Sequence, residues 1–152
     1  MGSTAKVVIG LVSILAAGYF VQPYRPVIVK GQSMEPTFED GQLVFAVKEH
    51  RKPKVGDVVL VEKDGALLIK RVSMVGGDHY EETYVPYAHR WAILESPAVR
   101  RMVKRGVVPC RVRTIPDGQM FITGDNPDVS LDSRMFGLVP ESAIRGFVLV
   151  GS

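Results

Sequence analysis

Between residues 27 and 150 the apolar residues arrive in short valine-rich runs broken by glycines, prolines and Gly-Asp pairs. Branched residues in runs of this length suit a pleated, half-buried surface better than a helix. The fifteen glycines and ten prolines supply the turns between them. Strands are expected at Gln42 to Val47, Asp57 to Glu62, Leu67 to Val75, Gln119 to Thr123 and Arg145 to Val150, with Pro116-Asp117-Gly118 as one of the turns. Pro23 and Pro26 mark an extended link into Val27-Ile28-Val29. The expected fold class is therefore mainly β: an antiparallel sheet domain with an apolar N-terminal helix and a short helical insert.

The insert is legible within residues 78–113. Ser96 reads as an N-cap, Pro97 as the first helical residue and Gly106 as the stop. Arg100, Arg101, Lys104 and Arg105 recur at helical spacing after Tyr80, Tyr84, Tyr87 and Trp91. Contact with an anionic membrane surface and a plain solvated face are both open for this stretch. Nucleic acid is not an expected partner, because the net charge is only +3 and the chain carries an apolar N-terminal run. At 152 residues there is room for one domain and an appendage. Cys110 is the sole cysteine, so no internal disulfide can form. His50, His79 and His89 lack metal-ligand spacing, and no metal site is expected.

Four short boxes carry the chemistry. They are Gly31-Gln32-Ser33-Met34-Glu35-Pro36-Thr37, Ile69-Lys70-Arg71-Val72, Gly76-Gly77-Asp78, and the segment from Gly124-Asp125-Asn126 to Ser130-Leu131-Asp132-Ser133-Arg134. A serine hydroxyl is a weak nucleophile until a neighbour takes its proton. A lysine can do so only when neutral, so its reference pKa of about 10.4 must fall, as burial among apolar groups makes it do. A strand from Ala66 to Val75 would put Leu68, Lys70, Val72 and Met74 on one face, with Ile69, Arg71 and Ser73 on the other. One basic residue is then placed to lose its charge and the next to keep it. No cofactor is expected, since hydroxyl and amine supply nucleophile and base.

In the order and content of these boxes the chain resembles the type I signal peptidases, membrane-bound serine–lysine enzymes of peptidase family S26 that remove signal sequences from exported proteins. The resemblance runs from the apolar N-terminus to Val139. It implies that Ser33 is the nucleophile, that Lys70 is the general base, and that Ser130 hydrogen-bonds the lysine amine and aims it at Ser33. It also implies a charged support made of Arg71, Asp125, Asp132 and Arg134, and Met34 lining the first specificity pocket. Substrates would be precursors bearing signal peptides, with small residues at the first and third positions before the cut, bound as an added strand. Three departures stand out. Gly31 occupies a place where some members have a serine that binds the oxyanion, leaving the Ser33 N–H and the Gly31 backbone for that task. The stretch after the lysine is shortened to Gly76-Gly77-Asp78, and Pro127 stands where arginine is common.

Val7 to Val21 is uncharged and flanked by Lys6 and Arg25. As a helix at about 1.5 Å per residue it would span roughly 22 Å, against about 30 Å of bilayer hydrocarbon. Thr4, Ala5, Gln22 and Tyr24 could lengthen it, with Tyr19 and Tyr24 near an interface. A cleaved signal peptide, which Ala16-Ala17 would suit, and a buried helix compete with this reading. An uncleaved anchor over residues 1–24 is preferred because the serine box begins only about ten residues later, leaving 25–152 as the β-rich peptidase domain. The resemblance implies a single-pass protein of the plasma membrane with that domain on the outer face, a mitochondrial inner or thylakoid membrane being the alternative. Two other readings of the chain stay open: a maturation peptidase of the same superfamily with one dedicated substrate, and a catalytically silent membrane-tethered β-domain. Residue pattern alone leaves the oligomeric state open.

Overall fold

The structure is a computed structural model that describes residues 24–86, 89–93 and 97–150. The apolar run assigned above to a membrane anchor lies outside the described residues, as does the N-cap expected at Ser96. Among the described residues no helix is long and apolar enough to cross a membrane.

Among the described residues ten strands form two antiparallel sheets. The larger comprises β1 (Tyr24–Ile28), β2 (Leu43–Val47), β3 (Val58–Lys63), β4 (Ala66–Val75), β8 (Gln119–Thr123), β9 (Val139–Pro140) and β10 (Ile144–Val148). Its spatial order is β1-β2-β10-β3-β4-β8-β9. The smaller is β6 (Arg90–Ile93), β5 (His79–Val85) and β7 (Cys110–Thr114), in that order. Helix α1 (Pro97–Lys104) precedes β7, and the single turn α2 (Ser133–Phe136) follows β8.

The central strand β3 explains why the large sheet holds. Val58, Val59, Leu60 and Val61 are all buried because both faces of the strand are covered. Val58 and Leu60 pack with Val29, Met34, Phe38, Val44, Ala46 and Val148 in one cluster. Val59 and Val61 pack with Val72, Met120, Ile122, Val139 and Phe147 in the other. Each buried valine of this kind contributes roughly 1.5–3 kcal/mol relative to exposure.

Strand β4 positions the chemistry. Residues 66–71 pair with β3, and only from Arg71 onward does β8 pair on the far side. Residues 66–70 therefore keep an open edge, and β1 ends the sheet with another. Lys70 lies opposite Val59 and shares its face with Val72, while Ile69 packs on the first cluster, as period-2 alternation predicts. The alternation fails beyond Val72. A bulge between Val72 and Met74 shifts the register, so that Val75 rather than Met74 rejoins the second cluster. A bulge inserts one unpaired residue and reverses the facing of everything after it.

The five strands expected from the sequence all form, each starting within about two residues of its expected place. Helix α1 ends before Gly106, whose φ of +69° is the left-handed conformation glycine adopts at such a stop. The smaller sheet was not expected. Its strands are rich in charged and polar residues, and cross-strand pairs rather than an apolar face hold them together. Arg111 lies opposite Glu82 and bonds it at 2.6 Å, its guanidinium stacks 4.1 Å from the Trp91 ring centroid, and Tyr84 packs on Trp91.

Candidate active site

The serine box folds as a tight loop between β1 and β2. The Val29 N–H donates to the Gln42 carbonyl and the Gly41 N–H to the Val29 carbonyl, both at 2.9 Å, which closes the loop at its base. Met34 and Phe38 are buried in the first core cluster and pin the loop from within. The Phe38 N–H donates to the Met34 carbonyl, making one helical turn directly after Ser33. Gly31 has φ +80°, a conformation most side chains resist, and its N–H donates to Asp40 Oδ1 at 2.7 Å. That bond occupies the Gly31 N–H, one of the two backbone donors the sequence offered to an oxyanion. Among the described residues none accepts the Ser33 N–H.

Lys70 projects from β4 toward this loop. Its side chain is 4% exposed, and Nζ donates to Ser33 Oγ at 2.6 Å. Burial pushes the amine below the ordinary lysine value, against the opposing pull of the Asp132 carboxylate; the Arg134 charge assists and Asp125 opposes. A neutral amine in this contact accepts the serine proton, and the bond then runs from Oγ to Nζ.

The expected support separates into two ion pairs. Arg71, on the face of β4 opposite Lys70, grips Asp125 through Nε at 2.8 Å and Nη2 at 2.7 Å, and its Nη1 donates to the Gly56 carbonyl. Thr37, from the serine box, accepts from the same guanidinium at 3.3 Å, tying the serine loop to the ion pair. Burial raises the Asp125 carboxyl, and the Arg71 and Thr37 hydrogen bonds outweigh it, holding the group below the usual carboxylate value.

Asp132 is fully buried and caps α2, accepting from the Arg134 N–H, from Arg134 Nε at 2.7 Å and Nη2 at 2.5 Å, and from the Gly124 N–H at 2.8 Å. Ser130 donates to the same carboxylate at 2.5 Å. This differs from the expectation that Ser130 bonds the lysine amine. A buried, charged carboxylate two residues away is the stronger acceptor for that hydroxyl. Burial raises the Asp132 carboxyl, but the Arg134, Ser130 and Gly124 hydrogen bonds prevail and leave it below its ordinary value.

Gly124 is the residue sequence reasoning undervalued. A Cβ there would collide with the Ser33 carbonyl oxygen and with the Ser130 hydroxyl, so the serine box and the Gly124–Arg134 box meet at this backbone. The next link is the Asn126 N–H, which donates to the Ser33 carbonyl at 3.1 Å. Asp40 was also missed, because an acidic residue before a Gly in a loop reads as ordinary turn chemistry.

A cleft of about 370 Å³ opens beside Ser33, bounded by Val27 to Lys30 on one side and Leu67 to Lys70 on the other. Its walls are thus the two open sheet edges. Met34 lines its floor as well as packing in the core. The arrangement is an apolar trough with one hydroxyl–amine pair at its base, suited to an extended peptide.

Comparisons with known proteins point the same way. The profile of the family described as signal peptidase, peptidase S26, matches residues 2–150. Signal peptidase I of Bacillus licheniformis is 27% identical over 93% of this chain and 82% of its own length. Signal peptidase IB of Staphylococcus aureus is 29% identical over 94% of this chain and 84% of its own. A crystal structure of a signal peptidase I from Enterococcus faecalis aligns with 65% of this chain and 98% of that one at a TM-score of 0.42 and 23% identity, too loose a likeness to carry any argument. With a family profile spanning nearly its whole length and named relatives on either side of it, the chain belongs to the signal peptidase family, peptidase S26, and is a serine peptidase.

Proposed function

We propose that this chain is a membrane-anchored serine endopeptidase that removes signal peptides from exported precursors by a Ser33–Lys70 dyad. The observation that carries the dyad is the 2.6 Å contact between Lys70 Nζ and Ser33 Oγ, with the amine buried. Neutral Lys70 takes the proton as Ser33 Oγ attacks the scissile carbonyl, then passes it to the leaving amine as the C–N bond breaks. Lys70 next deprotonates a water that attacks the acyl ester, and the Ser33 hydroxyl is restored. The Ser33 N–H is the backbone donor aimed at the developing oxyanion. Asp132 holds Ser130 and Gly124 against the nucleophile loop, and Arg71 with Asp125 holds Thr37 of the same loop.

The substrate lies extended between the edges of β1 and β4, its alternate side chains facing the apolar trough that Met34 floors. The anchor lies within residues 1–23, one residue short of the expected boundary because Tyr24 pairs with Val47 in β1, and the catalytic domain follows on the outer face of a plasma membrane. Signal-peptidase relatives of bacterial origin support that location. The test is acyl trapping on a signal-peptide substrate. Modification is expected at Ser33 in the wild-type chain and absent in Lys70→Met, with the fold retained by circular dichroism. Undiminished processing by Lys70→Met refutes the dyad.

A further inference from the structure

At the far end of β1 from the substrate trough, a second cleft of about 380 Å³ gathers Arg25, Lys48, His50 and Arg145, with Glu49 as the acidic residue on its wall. Arg51 engages Glu49 at 2.5 Å, and Arg145 is held by Glu62 at 2.8 Å. The side chains of Arg25, Lys48 and His50 make no hydrogen bond or ion pair with any described residue. Arg25 sits opposite Ala46 in the β1–β2 pairing, and Lys48 follows two residues after Ala46, so two unpaired cations share one small space. Like charges so placed repel, and an anion between them converts that repulsion to attraction.

Location decides which anion. The apolar run ends at Val21, three residues before β1 begins at Tyr24, which is half exposed beside the cleft. Three residues reach at most about 10 Å, so an anchored chain holds this cleft at headgroup depth, with an interfacial tyrosine at its edge. We propose that the cleft bounded by Arg25, Lys48, His50 and Arg145 binds the phosphodiester of an anionic phospholipid and thereby fixes the height and tilt of the catalytic domain over the bilayer. This rests on the anchored reading of the residues before Tyr24. It assigns a different surface from the basic helix α1.

The experiment uses the full chain in vesicles of phosphatidylcholine, with or without phosphatidylglycerol. A photoactivatable headgroup analogue of each lipid is added, and labelled peptides are mapped by mass spectrometry. Phosphatidylglycerol is expected to label the peptides containing residues 48–50 and 144–146, and phosphatidylcholine not. The double variant R25Q/K48Q is expected to lose about 25-fold of that labelling, a factor of about five for each cation near an anionic surface. It should cleave a soluble peptide at the wild-type rate. Equal labelling by both lipids, or undiminished labelling of the variant, overturns the proposal. Displacement of the label by inorganic phosphate alone assigns the cleft to free phosphate and also overturns it. Extraction of the wild-type chain by alkaline carbonate refutes the anchored reading instead, and the cleft is then judged from labelling in micelles carrying the same two lipids.

Discussion

Gly124 offers the sharpest test of how tightly the Ser33 loop is held. In Gly124→Ala the added methyl meets the Ser33 carbonyl oxygen, which the Asn126 N–H holds, and the Ser130 side chain, which Asp132 holds. Ordinary contact needs about 3.5–4.0 Å, so these groups must retreat by roughly 1 Å. Neither is the loose end of a flexible side chain. Overpacking of this kind costs about 1–3 kcal/mol of stability. The kinetic effect should be larger, because a displacement of about 1 Å at the nucleophile costs about 10²-fold in rate. The assay is cleavage of a signal-peptide substrate, with kcat and KM separated, beside urea unfolding of the same preparation. The expected result is a kcat lowered about 100-fold with KM little changed, since neither Gly124 nor Ser130 lines the trough. A variant with wild-type kcat and an unmoved urea midpoint would refute the idea that the serine box and the Gly124–Arg134 box meet at this glycine.

Asp132→Asn removes the charge that satisfies Arg134 in a fully buried site, and a broken buried pair typically costs about 3–5 kcal/mol; urea unfolding near neutral pH would register it. Asp125 and Asp132 both titrate below their ordinary values in the fold. Their stabilisation is therefore complete above the unfolded carboxylate value of about 3.9 and lost as pH falls through the folded ones, so acid titration of the urea midpoint should show a decline confined to that region, which Asp132→Asn flattens. Asp40→Ala frees the Gly31 N–H and loosens the Ser33 loop; kcat should drop about tenfold, the scale of one lost hydrogen bond, and Asp40→Asn should restore most of it. Equal rates for the alanine and asparagine variants would deny Asp40 its positioning role.

The large sheet was legible because its strands announce themselves. Val58 to Val61 is a run of apolar residues that only a strand covered on both faces needs, and Gly56, Gly77 and Gly118 sit in turns with positive φ. The smaller sheet was not, since His79–Val85 carries its stabilising information in partners some thirty residues away, such as Arg111 for Glu82. At the site, the pairing of Ser33 with Lys70 followed from chemistry and order of boxes, although 37 residues separate them. The partner of Ser130 did not follow. The Ser130 hydroxyl bonds the nearby carboxylate of Asp132, two residues away on the loop that leads into α2, a choice set by loop geometry. Gly31 and Asp40 show the same limit, for a loop closed by one backbone-to-carboxylate bond leaves no periodic trace.

The central claim is that the Lys70 amine is neutral where it meets the Ser33 hydroxyl. Burial lowers its pKa, so the folded state binds fewer protons than the unfolded one between the two values, and both activity and stability should rise with pH across that interval. Titration of the Lys70 Nζ by heteronuclear NMR in the full chain, set beside the pH profile of kcat/KM, tests this directly. The expected result is an amine titrating well below about 10.4, at the pH where kcat/KM rises. An amine titrating at the ordinary lysine value, with cleavage already at its plateau far below that pH, would contradict the account.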